Sequence, residues 1–171
     1  VSIQGLGIRD VNGTWSELAA IGSGQVREIF NDGDSLLYIG GTFSTVNGQY
    51  YEGLVVYDGV TWAPLGQALG FYHDVFCIDK DPITSEIAIG GGFQSVTNAD
   101  GSTLSSAGLA FWDGAQWSTR GEVEAAATNP PEYGRIVRSL DFDENGVLYI
   151  GGEFSGINGI SANRVARYVP G

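Results

Sequence analysis

The chain has 171 residues, 43% hydrophobic and 16% charged, with a formal net charge of −12. Such an acidic chain lacks the basic stripe that binds phosphates by releasing counterions, which excludes nucleic acid as a partner and disfavours anionic membrane surfaces. No apolar run approaches the roughly 20 residues of a spanning helix, so membrane insertion is not expected, and 27 glycines with 12% aromatics suit an all-β single domain rich in tight turns.

The first 18 residues carry a degenerate half-repeat, Ile8-Arg9-Asp10-Val11-Asn12-Gly13-Thr14-Trp15, that ends in a Trp-bearing strand. Residues Gln25–Phe30, the turn Asn31-Asp32-Gly33-Asp34 and Leu36–Phe43 then read as a β-hairpin closing on Gly40-Gly41-Thr42-Phe43. Asn47-Gly48 marks a turn needing positive φ, after which Leu54-Val55-Val56-Tyr57, Asp58-Gly59 and Trp62 supply a third and a fourth strand. The design returns twice. Val75–Asp79, Ile87–Phe93, Leu109–Trp112 and Trp117 form a second unit, whose loop is lengthened through Thr97–Thr103. Ile136–Phe142, Val147–Phe154, Asn158-Gly159 and Val165–Tyr168 form a third. Phe43 and Phe93 stand 50 residues apart and Phe93 and Phe154 stand 61 apart, a spacing near that of propeller blades. The units run over about 24–65, 73–120 and 135–169, preceded by the half-repeat 1–18.

Two residue types explain the design. Paired glycines weaken a strand unless neighbouring backbones pack closely against it. Trp62 and Trp117, identically placed after Asp-Gly, are expected in the repeat core, each burying roughly 150–250 Å². Arg167 stands where the other units carry Val56 and Phe111, which points to a face meeting a carboxylate or an open edge. The third unit lacks its Trp strand, and the spare strand Trp15–Leu18 lies at the opposite end. The expectation is therefore an N-terminal complementing strand, donated between copies or matched by adjoining blades of a longer chain. The start at Val1 and the absence of methionine read as a processed chain or a piece of a longer one.

Gly40-Gly41, Tyr57 and Trp62, with Tyr149-Ile150-Gly151-Gly152-Glu153-Phe154, resemble kelch-type repeats, and are similar to kelch-like repeats of large secreted or surface proteins and virion appendages. The resemblance implies a β-propeller-like fold of three four-stranded blades or partial blades. It implies a structural or adhesive, extracellular, cell-surface or virion setting. Asp10, Thr14 and Trp15 also resemble the Asp box of sialidase-type propellers, a folding element, although Ile8 and Asn12 replace its Ser and Gly.

Catalytic chemistry has little to stand on. His73 is the single histidine and no Gly-x-Ser-x-Gly motif accompanies it, so the chain is not read as an enzyme, and a His-based zinc site is excluded. A propeller glycosidase is the weakest alternative, because carboxylate pairs are defined in space and not by spacing. Cys77, the lone cysteine, reads as a small buried hydrophobe. Asp141, Asp143 and Asn145 are the best Ca²⁺ candidates, set against a plain hairpin turn, and no other cofactor is expected. Tyr50, Tyr51, Asn98, Asp100 and Tyr133 are the loop candidates for binding a glycan or a cell-surface receptor, which makes a lectin-like propeller the alternative function.

Overall fold

The computed structural model describes residues 2–70, 74–125 and 135–169, which carry strands and turns and no helix. An N-terminal hairpin, β1 (Gly5–Arg9) and β2 (Trp15–Gly22), precedes the first unit. That unit holds β3 (Val26–Asn31), β4 (Leu37–Gly41), β5 (Thr45–Val46), β6 (Gln49–Tyr50), β7 (Leu54–Tyr57) and β8 (Trp62–Ala63). The second holds β9 (Ala68–Gly70), β10 (Val75–Lys80), β11 (Ile87–Gly91), β12 (Ser95–Thr97), β13 (Thr103–Ser105), β14 (Leu109–Trp112) and β15 (Trp117–Ser118). The third holds β16 (Val123–Ala125), β17 (Ile136–Phe142), β18 (Leu148–Ile157), β19 (Ile160–Ser161) and β20 (Val165–Tyr168).

Three antiparallel sheets share one order. The first is β3-β4-β7-β8 and the second β10-β11-β14-β15, whereas in the third β17 and β20 flank β18 with no fourth strand among the described residues. The hairpin after each double glycine turns away into a smaller sheet, pairing β5 with β2, β12 with β9, and the far half of β18 with β16. Phe43, Phe93 and Phe154 sit where the chain changes sheet and are each at most 1% exposed.

Period-2 alternation sends the two faces of a strand into different cores. Ile87 and Ile89 join the cluster shared with Tyr38, Leu54 and Val56 of the first sheet, while Ala88, Leu109 and Phe111 join that shared with Leu148 and Ile150 of the third. The second sheet is thus buried on both faces, which is why its strands read as continuous apolar runs. The first sheet's other face packs Ile39 and Val55 against Leu6 and Ala19 of the N-terminal hairpin.

That contact corrects the expected role of Trp15–Leu18. The strand does not complete the third sheet; it pairs with β1 and, at its end, with β5, because Leu6 and Ala19 are buried against the first sheet. Trp15 is left 54% exposed.

Each unit's first strand bulges at the same place, between Val26 and Glu28, Val75 and Cys77, and Val137 and Ser139. In the second and third units the bulge valine meets the first glycine of the preceding pair. A Cβ on Gly40 would lie 2.7 Å from Val75 Cγ1, and one on Gly90 would lie 2.6 Å from Val137 Cγ1. The second glycine serves its own sheet, since a Cβ on Gly41, Gly91 or Gly152 would collide with the carbonyl of Gln25, Asp74 or Ile136. Gly151 is the exception, with only Arg164 O at 3.8 Å.

Gly90→Ala is therefore expected to destabilise by about 1–3 kcal/mol through overpacking. Gly151→Ala, at the equivalent position, is expected to be neutral or to stabilise by up to about 1 kcal/mol, since only the entropic penalty of glycine is removed. Urea melts of the two variants check the contrast, and equal losses would refute the seat.

Candidate functional site

Seven of the 11 aspartates are occupied in holding turns. At seven turns an aspartate Oδ1 accepts the N–H two residues on: Asp10 from Asn12, Asp32 from Asp34, Asp58 from Val60, Asp81 from Ile83, Asp100 from Ser102, Asp113 from Ala115 and Asp143 from Asn145. The hydrogen bond from Thr61 N–H holds the Asp58 carboxyl below its usual range, that from the Ser102 hydroxyl does so for Asp100, and that from Gln116 N–H for Asp113. The Ca²⁺ candidates form such a turn. Asp143 Oδ1 also accepts from Val147 N–H, while Asp141 and Asn145 are exposed. Among the described residues no group of three His, Cys, Asp or Glu side chains gathers as a cation site.

The loop candidates separate. Tyr50, on β6, is 63% exposed. Tyr51, one residue on, is half-buried and donates its hydroxyl to Trp62 O at 3.1 Å. Asn98 is 6% exposed; its Oδ1 accepts from Trp117 N–H at 2.6 Å and its Nδ2 donates to Ser102 Oγ at 3.1 Å. Asp100 is exposed at the tip of the same hairpin, and Tyr133 lies outside the described residues, as does His73.

Asn47 and Asn158, expected at turns, also accept backbone N–H groups from distant chain. Asn47 Oδ1 accepts from Ala20 N–H at 2.9 Å and Asn158 Oδ1 from Glu122 N–H at 3.1 Å, so these two asparagines latch their hairpins to the chain that precedes their own unit, whereas Asn98 latches to the fourth strand of its own. The repeated Asn after each anchor Phe was the available signal. Its partner was invisible because the latch spans 27 to 36 residues at Asn47 and Asn158.

The tryptophans also separate. Trp117 is 3% exposed and donates Nε1–H to Leu65 O at 3.3 Å; Trp62 is half-buried and stacks on Tyr57 at 4.4 Å between centroids. Burial pushes the Cys77 thiol up to about 12, and its Sγ lies 3.9 Å from Val137 O.

The third sheet turns an unfilled face outward. Tyr149 and Val165 are 41% and 69% exposed and Arg167 is exposed, whereas their register counterparts Ala88, Leu109 and Phe111 in the second sheet are buried. Arg167 thus marks an open face. Beneath the same sheet lies a cavity of about 150 Å³, between Phe111 of the second sheet and Ile150, Ala166 and Tyr168 of the third.

No protein-family model matches this chain, and a comparison with curated protein sequences gives no match.

The turn carboxylates set a pH dependence. The folded values of Asp58, Asp100 and Asp113 lie below those of the unfolded chain, so their stabilisation is complete above about pH 4 and is lost as pH falls through the folded values. The thermal midpoint is expected to fall more steeply below about pH 4. The double variant Asp58→Asn and Asp113→Asn, which keeps an acceptor oxygen at both turns, should flatten that limb; an unchanged acid limb would show that these turns do not contribute.

Proposed function

We propose that the chain is a non-catalytic structural or adhesive module that stacks sheets of one design into a larger extracellular assembly, on a cell surface or a virion. In this reading the three sheets are blades of a kelch-like, propeller-type array. The observation that carries it is the outward face of the third sheet, where Gly151, Val165 and Arg167 repeat positions that the second sheet uses to receive the next unit. The partner is another unit of the same design, from a further copy or an adjoining blade. Tyr149 and Val165 give that face apolar surface which association would bury.

Sedimentation velocity across a concentration series tests this. Concentration-dependent association that Val165→Asp weakens is expected, since a charge would be buried without a partner. A monomer at every concentration, unaffected by the substitution, would remove the stacking reading.

Tyr50 favours a second reading, a glycan-binding loop, because its ring is exposed beside the positive-φ turn Asn47-Gly48. On a glycan array, binding that disappears in Tyr50→Ala while the melt is unchanged is the expected signature, and binding indifferent to Tyr50 would count against it.

A further inference from the structure

Resting on the stacking reading, we propose that the cavity beside Tyr168 is a socket for the indole of a tryptophan-bearing β-strand. The strand adds along the outer edge of β20 and belongs to the further unit of the same design that the stacking reading calls for, marked by the repeat's own Gly-x-x-Trp signature.

The complete sheets show the socket filled. In each, the last residue of strand three pairs with the Trp that opens strand four: Tyr57 with Trp62, and Trp112 with Trp117. The rings meet at 4.4 and 5.1 Å between centroids. Tyr168 holds the same register, opposite Leu148 as Trp112 is opposite Ile87, and is 38% exposed. The cavity lies where the missing indole would go.

The walls match one repeat apart. Trp117 shares its core cluster with Leu54 and Val56 of the preceding sheet and with Ile87, Ile89 and Ala110 of its own. The cavity is lined by the register counterparts of those residues, Leu109 and Phe111 of the second sheet and Leu148, Ile150 and Ala166 of the third. About 150 Å³ in an apolar setting accommodates an aromatic ring of benzene size.

One wall differs, and it suits the occupant. Where the second unit has Leu65, whose carbonyl accepts the Trp117 indole N–H, the cavity has Arg120. Its guanidinium lies 4.4 Å from the Phe111 ring centroid and 5.9 Å from that of Tyr168, and it pairs with Glu86. A cation beside two rings favours an entering indole face. The chain's own exposed indole, Trp15, is held in the N-terminal hairpin by pairing with Arg9 of β1. Among the described residues β20 pairs with β18 alone, which leaves an edge for strand addition.

The test uses a fluorescein-labelled peptide with the sequence of residues 111–121. Saturable anisotropy is expected, weakened at least about tenfold when the second of the peptide's two tryptophans, that of position 117, is replaced by Ala, or when Ala166→Phe fills the socket in a protein whose melt stays cooperative. A tethered arm removes dependence on weak affinity, since linkage raises the effective concentration to about the millimolar range. Joining the sequence of residues 61–66 after Gly171 sets a tryptophan at the spacing from Tyr168 that separates Trp62 from Tyr57. A melting rise of at least about 2 °C is expected, lost in the Ala version. Tethered Trp and Ala versions that melt alike would overturn the socket, as would peptide binding indifferent to both replacements. Self-association abolished by Val165→Asp in a chain that ignores the tether would leave stacking standing and the socket refuted. A tether response in a chain that never self-associates would do the reverse.

Discussion

The fold depends on one close approach, the bulge valine of the second and third units seated on the first glycine of the preceding pair. Val75 over Gly40 and Val137 over Gly90 bring sheets together where any side chain at the glycine would hold them apart. The second glycine makes room for a carbonyl of its own sheet. The bulge then delivers the strand to its partner in a register that buries Ile78 and Leu140 on the face looking back toward the previous unit. Dispersion at this distance is lost with small gaps, so the seat fixes sheet spacing more strictly than general hydrophobicity does. Polar ties reinforce the spacing. Asp79 Oδ2 accepts from Phe142 N–H of the third sheet at 2.7 Å, and Lys80 reaches back to Asp34 of the first.

The charge of −12 looks at first like a surface property, and much of it is an architectural one. A chain of short strands needs many turns, and an aspartate whose oxygen receives the second following N–H fixes a turn without a large side chain. The seven turns held this way account for acidic residues that could otherwise be mistaken for ligand sets. Asp143 is the instructive case. In sequence it sits within Asp-Phe-Asp-Glu-Asn-Gly, a pattern suggestive of a cation loop, and in space its Oδ1 closes a hairpin on Asn145 and Val147.

The sheets were legible because their signals are local. Alternation, Asp-Gly turns and the double glycines placed the central strands of all three units to within a few residues. The smaller sheets were not, since β9 and β16 are three residues each and acquire strand pairing only from β12 and β18. The valine bulge was hidden for the same reason, as a register shift is defined by the partner strand. Among the site residues, exposure at Tyr50 followed from its loop, whereas the burial of Asn98 depended on Trp117, nineteen residues away. The N-terminal strand was misassigned because Trp15 carries the fourth-strand signature. What decides its place is the apolar contact of Leu6 and Ala19 with the first sheet.

Cys77 lies on the face that joins the second and third sheets, with its Sγ close to Gly90 and Val137 O. With the thiol pushed up to about 12 by burial and the residue only 6% exposed, it is a poor target for alkylation while the sheets are together. Modification of the native protein by a thiol reagent is therefore expected to speed up when that junction parts. The lone cysteine is a built-in reporter: its labelling rate under native conditions measures how often the second and third sheets separate, independently of the junction between the first and second.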